Sequence, residues 1–124
     1  MTKIGGYQDL EVWKRGIELA TATYVLTREF PREEQYGLTS QARRAAASVP
    51  ANIAEGYGRG SRPAYISFLR IAQGSLKELE THLILANRVG LCSETAIAPL
   101  LQDADRLGRM LRALLTKLSP SPKP

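Results

Sequence analysis

Apolar residues recur at helical spacing along nearly the whole chain, most clearly at Tyr65, Leu69, Ala72, Leu76, Leu79, Leu83 and Ala86. These positions alternate steps of four and three, the repeat that forms the seam of an antiparallel helical bundle. The spacing predicts a helix over 62–89, opened by Ser61 as N-cap with Pro63 in its first turn and closed by Gly90. A first helix is predicted over 9–28, with Leu10, Trp13, Ile17, Ala20 and Tyr24 facing inward. A second line on it, Val12, Leu19 and Leu26, lies roughly 100° round the helix and is assigned to contact with another copy of the chain. The second helix, 38–55, buries Leu38, Ala42, Ala45, Val49 and Ile53, and Pro50 should kink it. The fourth, 95–118, carries Ile97, Leu101, Ala104, Gly108, Leu111 and Leu115, with Leu100, Leu107 and Leu114 widening the stripe. The expected fold is all-α, an up-down antiparallel four-helix bundle forming one domain over 1–118, followed by a disordered Pro-rich tail over 119–124.

A chain of 124 residues can bury one ordinary core without disulfides, and its single cysteine, Cys92, allows no intramolecular bridge. No apolar run approaches the ~20 residues of a membrane span, and the opening residues lack a signal-like apolar segment, so the expectation is a cytoplasmic protein away from the membrane. Charge changes the picture more. The formal net charge is +5, and between Gln41 and Lys77 six cations (Arg43, Arg44, Arg59, Arg62, Arg70, Lys77) face one acid, Glu55, while elsewhere eleven cations match eleven acids. A concentrated excess is the footprint of a polyanion site, although a solvated basic face has the same composition.

Chemistry-bearing patterns are sparse. His82 is the only histidine, and Leu79 stands three before it, so the Glu-x-x-His pairs of di-metal carboxylate bundles are missing. The Arg-to-His spacing of HEPN-type helical ribonucleases is not met either, because the nearest Arg before His82 is Arg70. Gly58-Arg59-Gly60 lacks the Lys-Ser/Thr continuation of a P-loop, and Cys92 has no nearby His to activate it. Neither enzyme activity, a cofactor nor a metal is expected. Gly74 inside the third helix suggests close approach of another helix.

The sequence resembles the four-helix-bundle family of 23S rRNA intervening sequence proteins, which also includes the accessory variability determinant proteins of diversity-generating retroelements. Four stretches carry the resemblance: Tyr-Gln-Asp-Leu-Glu-Val-Trp at 7–13, Tyr-Gly-Leu-Thr-Ser-Gln-Ala-Arg-Arg-Ala at 36–45, Ser-Val-Pro-Ala-Asn-Ile-Ala-Glu-Gly-Tyr-Gly-Arg at 48–59, and Phe-Leu-Arg-Ile-Ala-Gln-Gly-Ser-Leu-Lys-Glu-Leu-Glu-Thr at 68–81. The resemblance implies a homopentameric, barrel-like ring with a basic surface. For the retroelement branch it also implies binding to a reverse transcriptase and nucleic acid. Members often place an acid three residues after the Ser that opens the third helix; here Ala64 stands there, so the cap should be weaker.

On this reading the chain is a non-enzymatic nucleic-acid-binding oligomer. The alternatives are a protein interaction module or an accessory subunit of a reverse transcriptase. Arg43, Arg59, Arg62, Arg70 and Lys77 are nominated to contact RNA or DNA, with little sequence selectivity, because only Tyr57 among the aromatics accompanies them. Gln41, Arg44, Ser48, Asn52 and Glu55 form one polar line on the second helix and are assigned to a structural network.

Overall fold

A computed structural model of the protein describes residues 5–119. Four helices make up the described residues: α1 (Glu11–Thr27), α2 (Leu38–Gly58), α3 (Arg62–Arg88) and α4 (Glu94–Leu118), with single 3-10 turns at Tyr7–Asp9 and Arg32–Glu34. The protein is an all-α four-helix bundle, as the spacing predicts. Beyond Ser119 the expected tail lies outside the described residues.

The helix ends follow from local chemistry. The Ser61 hydroxyl accepts from the Ala64 amide at 3.3 Å, and Ser93 accepts from the Ala96 amide at 3.1 Å, each satisfying one first-turn donor. At the start of α2 the Glu34 carboxylate does the same, accepting from the Leu38 amide at 3.1 Å. Gly90 closes α3 in the left-handed region (φ 85°), and the Leu91 amide reaches back to the Ala86 carbonyl at 2.9 Å. α2 extends one turn past the expected end, to Gly58, and continues through Pro50 as one helix. Gly16 of α1 faces that proline, and a methyl group on it would sit 3.3 Å from the Pro50 ring.

The α3 seam is buried as expected: Leu69, Ala72, Leu76, Leu79, Leu83 and Ala86 are all at most 1 % exposed, and only Tyr65 is half-buried. Val49 and Ile53 of α2 and Leu107 and Leu111 of α4 complete this centre.

On α1 the expected face is corrected. Its buried residues are Val12, Gly16, Leu19, Thr23 and Thr27, whereas Ile17 is 39 % and Tyr24 44 % exposed. Val12 and Leu19, assigned to an oligomer interface, belong to the core of their own bundle, and Leu26 packs against that core. Leu10, Trp13 and Ala20 are half-buried at its margin. The reason is physical: small and polar residues complete the true inward face. The Thr23 hydroxyl donates to the Leu19 carbonyl at 2.9 Å and the Thr27 hydroxyl to the Thr23 carbonyl at 2.8 Å, so both are buried without an unmet hydrogen bond.

Candidate nucleic-acid interface

The polar line of α2 divides into separate parts. The Ser48 and Ser75 hydroxyls share a hydrogen bond of 2.8 Å across α2 and α3, and the Asn52 amide donates to the Ser48 hydroxyl at 2.9 Å and to its carbonyl at 2.8 Å. Glu55 turns instead to Arg59, one turn on, at 2.8 Å. Arg44 is exposed and has no ion-pair partner among the described residues; with Gln41, Ser48, Ser75 and Glu78 it lines an open groove between α2 and α3. The expected single network therefore reduces to Ser48 and Asn52, joined by Ser75.

Arg43 exchanges roles with Arg44. Its Nε donates to the Thr27 hydroxyl at 2.8 Å, and its guanidinium lies 4.6 Å from the centre of the Tyr24 ring. A half-buried arginine held by a hydroxyl and an aromatic face is a tie between α1 and α2, not a cation free for phosphate.

The other four nominated cations are exposed. Arg62 and Arg70 have no ion-pair partner among the described residues. Arg59 pairs with Glu55 and lies 5.1 Å from the centre of the Phe68 ring, and Lys77 pairs with Glu80 at 3.0 Å. Exposed pairs of this kind contribute at most about 1 kcal/mol, so a polyanion can compete with them.

Arg112 was not legible as a partner of this group. It rises from α4 beside Arg70 and Lys77, and the three line a groove of about 360 Å³ with Gln73, Gly74, Leu76 and Gly108. The weak sequence signal is that Gly108 and Arg112 are one turn apart on α4.

Burial pushes the half-buried Cys92 thiol above its ordinary pKa, which disfavours the reactive thiolate. Burial also raises the Tyr65 phenol, with a further push from Tyr57, whose ring packs edge-on at 5.7 Å. Among the described residues no group of His, Cys, Asp and Glu could hold a metal ion, and no helix is long and apolar enough to cross a membrane.

The model of the 23S rRNA-intervening sequence protein family matches residues 8–113. The chain belongs to this family. Among solved structures it is similar to a protein of unknown function from the S23 ribosomal protein family of Bacteroides thetaiotaomicron VPI-5482. That likeness has a TM-score of 0.75 at 22% identity, covers 84% of this chain and 97% of the other, and shows a shared fold. No curated protein matches the chain.

Proposed function

We propose that this family member is a non-enzymatic nucleic-acid-binding protein that works in the cytoplasm as a homo-oligomer. The observation that carries the reading is the exposed set Arg59, Arg62, Arg70 and Lys77, which runs from the end of α2 along α3 inside the segment holding the whole net charge. No aromatic platform lines the α3–α4 groove, which favours backbone contact with little sequence reading. Assembly would use the exposed apolar line of α1, Ile17, Tyr24 and Val25, in place of Val12, Leu19 and Leu26. The resemblance implies five copies, and repetition of the patch would add weak contacts through multivalency.

The test is a salt titration of single-stranded RNA binding. Neutralising four phosphates gives a slope of log affinity on log salt of roughly −3. Affinity that holds across the titration would favour the second reading, a protein interaction module such as a reverse-transcriptase accessory subunit, because apolar contacts do not release counterions. That second reading draws on the same exposed line, Ile17, Tyr24 and Val25.

A further inference from the structure

The cations of the α3–α4 groove meet without an acid between them. Arg70, Lys77 and Arg112 line it with the half-buried Gln73 and no carboxylate is among its lining residues; Lys77 pairs with Glu80 at 3.0 Å, which leaves Arg70 and Arg112 as the groove's cations without an ion-pair partner among the described residues. Two other grooves mix their signs: Arg15 and Arg106 stand with Glu18 and Asp103 between α1 and α4, and Arg44 with Glu78 between α2 and α3. Net positive potential is therefore focused at the α3–α4 groove.

Its glycines are a second, independent observation. Gly74 sits in the middle of α3, where glycine lowers helix stability relative to alanine. Packing does not require it, since a methyl group at Gly74 would meet no atom within 4 Å, and positive φ is confined to Gly60 and Gly90 among the described residues. Across the groove, a methyl group at Gly108 would make only an ordinary 3.5 Å contact with Leu76. What the missing methyl groups provide is depth between the cations. The expected close helix approach at Gly74 is corrected by the same fact.

We infer that this groove, with Arg70, Gln73, Lys77 and Arg112 on its walls and Gly74 and Gly108 on its floor, holds the phosphodiester backbone of a nucleic-acid strand. The inference rests on the nucleic-acid reading above and names the surface that serves it. Arg70 and Lys77 are two turns apart on one helix, about 10 Å along its axis, so they address different points of a strand while Arg112 approaches from the facing helix. Arginine forks grip phosphate oxygens in pairs, and the Gln73 amide adds a neutral donor.

The test uses the full chain and a fluorescently labelled single-stranded RNA of about 20 nucleotides, followed by anisotropy at about 50 mM salt, where phosphate contacts are strong. Arg70→Gln/Arg112→Gln is expected to weaken binding about tenfold or more and to flatten the salt slope by roughly 1.4. Arg15→Gln/Arg106→Gln removes the same net charge from the mixed-sign groove and is expected to change affinity by less than about threefold. Gly74→Ala is expected to weaken binding while raising the melting temperature, a combination that damage to the fold does not produce. Equal losses in the two double variants, or full affinity in both Arg70→Gln/Arg112→Gln and Gly74→Ala, overturn the groove and leave nucleic-acid binding to another face. Displacement of the RNA by polyglutamate at equal charge overturns phosphate recognition in favour of an acidic protein partner. A native chain that binds no RNA at low salt removes the groove and the function together.

Discussion

Helix α3 packs on two neighbours in two different ways. On the α2 side the buried residues are mostly small, Ala42, Ala45, Ala46 and Val49 among them, the Ser48–Ser75 hydrogen bond joins α2 to α3, and Gly56 lies against Phe68. A methyl group at Gly56 would lie 2.6 Å from the Phe68 Cβ, closer than real side chains come. On the α4 side the buried residues are mostly leucines, Leu100, Leu107, Leu111 and Leu115, and Gly74 and Gly108 line an open groove between α3 and α4. Glycine thus means close approach on one side of α3 and an open groove on the other.

Substitutions at three points of the structure sharpen this contrast. The largest effect is expected at Leu111→Ala, which empties a fully buried site on the leucine side and should cost about 3 kcal/mol in urea denaturation. A loss under about 1 kcal/mol would show that the α3–α4 contact collapses easily to fill space. Gly56→Ala should come next, destabilising by about 2 kcal/mol because overpacking against Phe68 outweighs the gain in helix propensity. If Gly56→Ala instead raised the melting temperature, the two glycine sites would be equivalent and the contrast would be lost.

The smallest effect is expected at the serine pair. Ser75→Ala removes one of the two partners of the Ser48 hydroxyl, leaving Asn52, and should cost about 1 kcal/mol, while Ser48→Ala/Ser75→Ala should cost less than the two single changes added. Strict additivity in that double-mutant cycle would mean that the hydrogen bond contributes nothing to joining α2 and α3.

The misreading of α1 has one origin, the rotation of that helix. Counting only large apolar residues put Ile17 and Tyr24 inside and Val12 and Leu19 outside, because Gly16, Thr23 and Thr27 gave no apolar signal. The exchange of Arg43 and Arg44 has its own source: the polar line of α2 points to Arg44 as the paired arginine, whereas Glu55 turns to Arg59 and Thr27 of α1 takes Arg43. Neighbouring residues on a helix are about 100° apart, so a modest error in one helix's orientation exchanges their roles. Arg112 was missed for a related reason, since its place beside Arg70 depends on how α3 and α4 line up.

The sequence by itself determined the four helices, the Ser61 cap and Gly90 stop of α3 and the α3 core line, because capping, chain breaks and a sustained seven-residue repeat act over a few neighbouring residues. It also determined that the excess charge lies within 41–77. Only the tertiary structure decided which face of α1 turns inward, which arginine is bound and which is free, and that Arg70, Lys77 and Arg112 meet over two glycines. Those outcomes depend on the rotation and register of one helix against another, which small and polar residues settle through space and hydrogen bonds, and neither leaves a periodic mark in the chain.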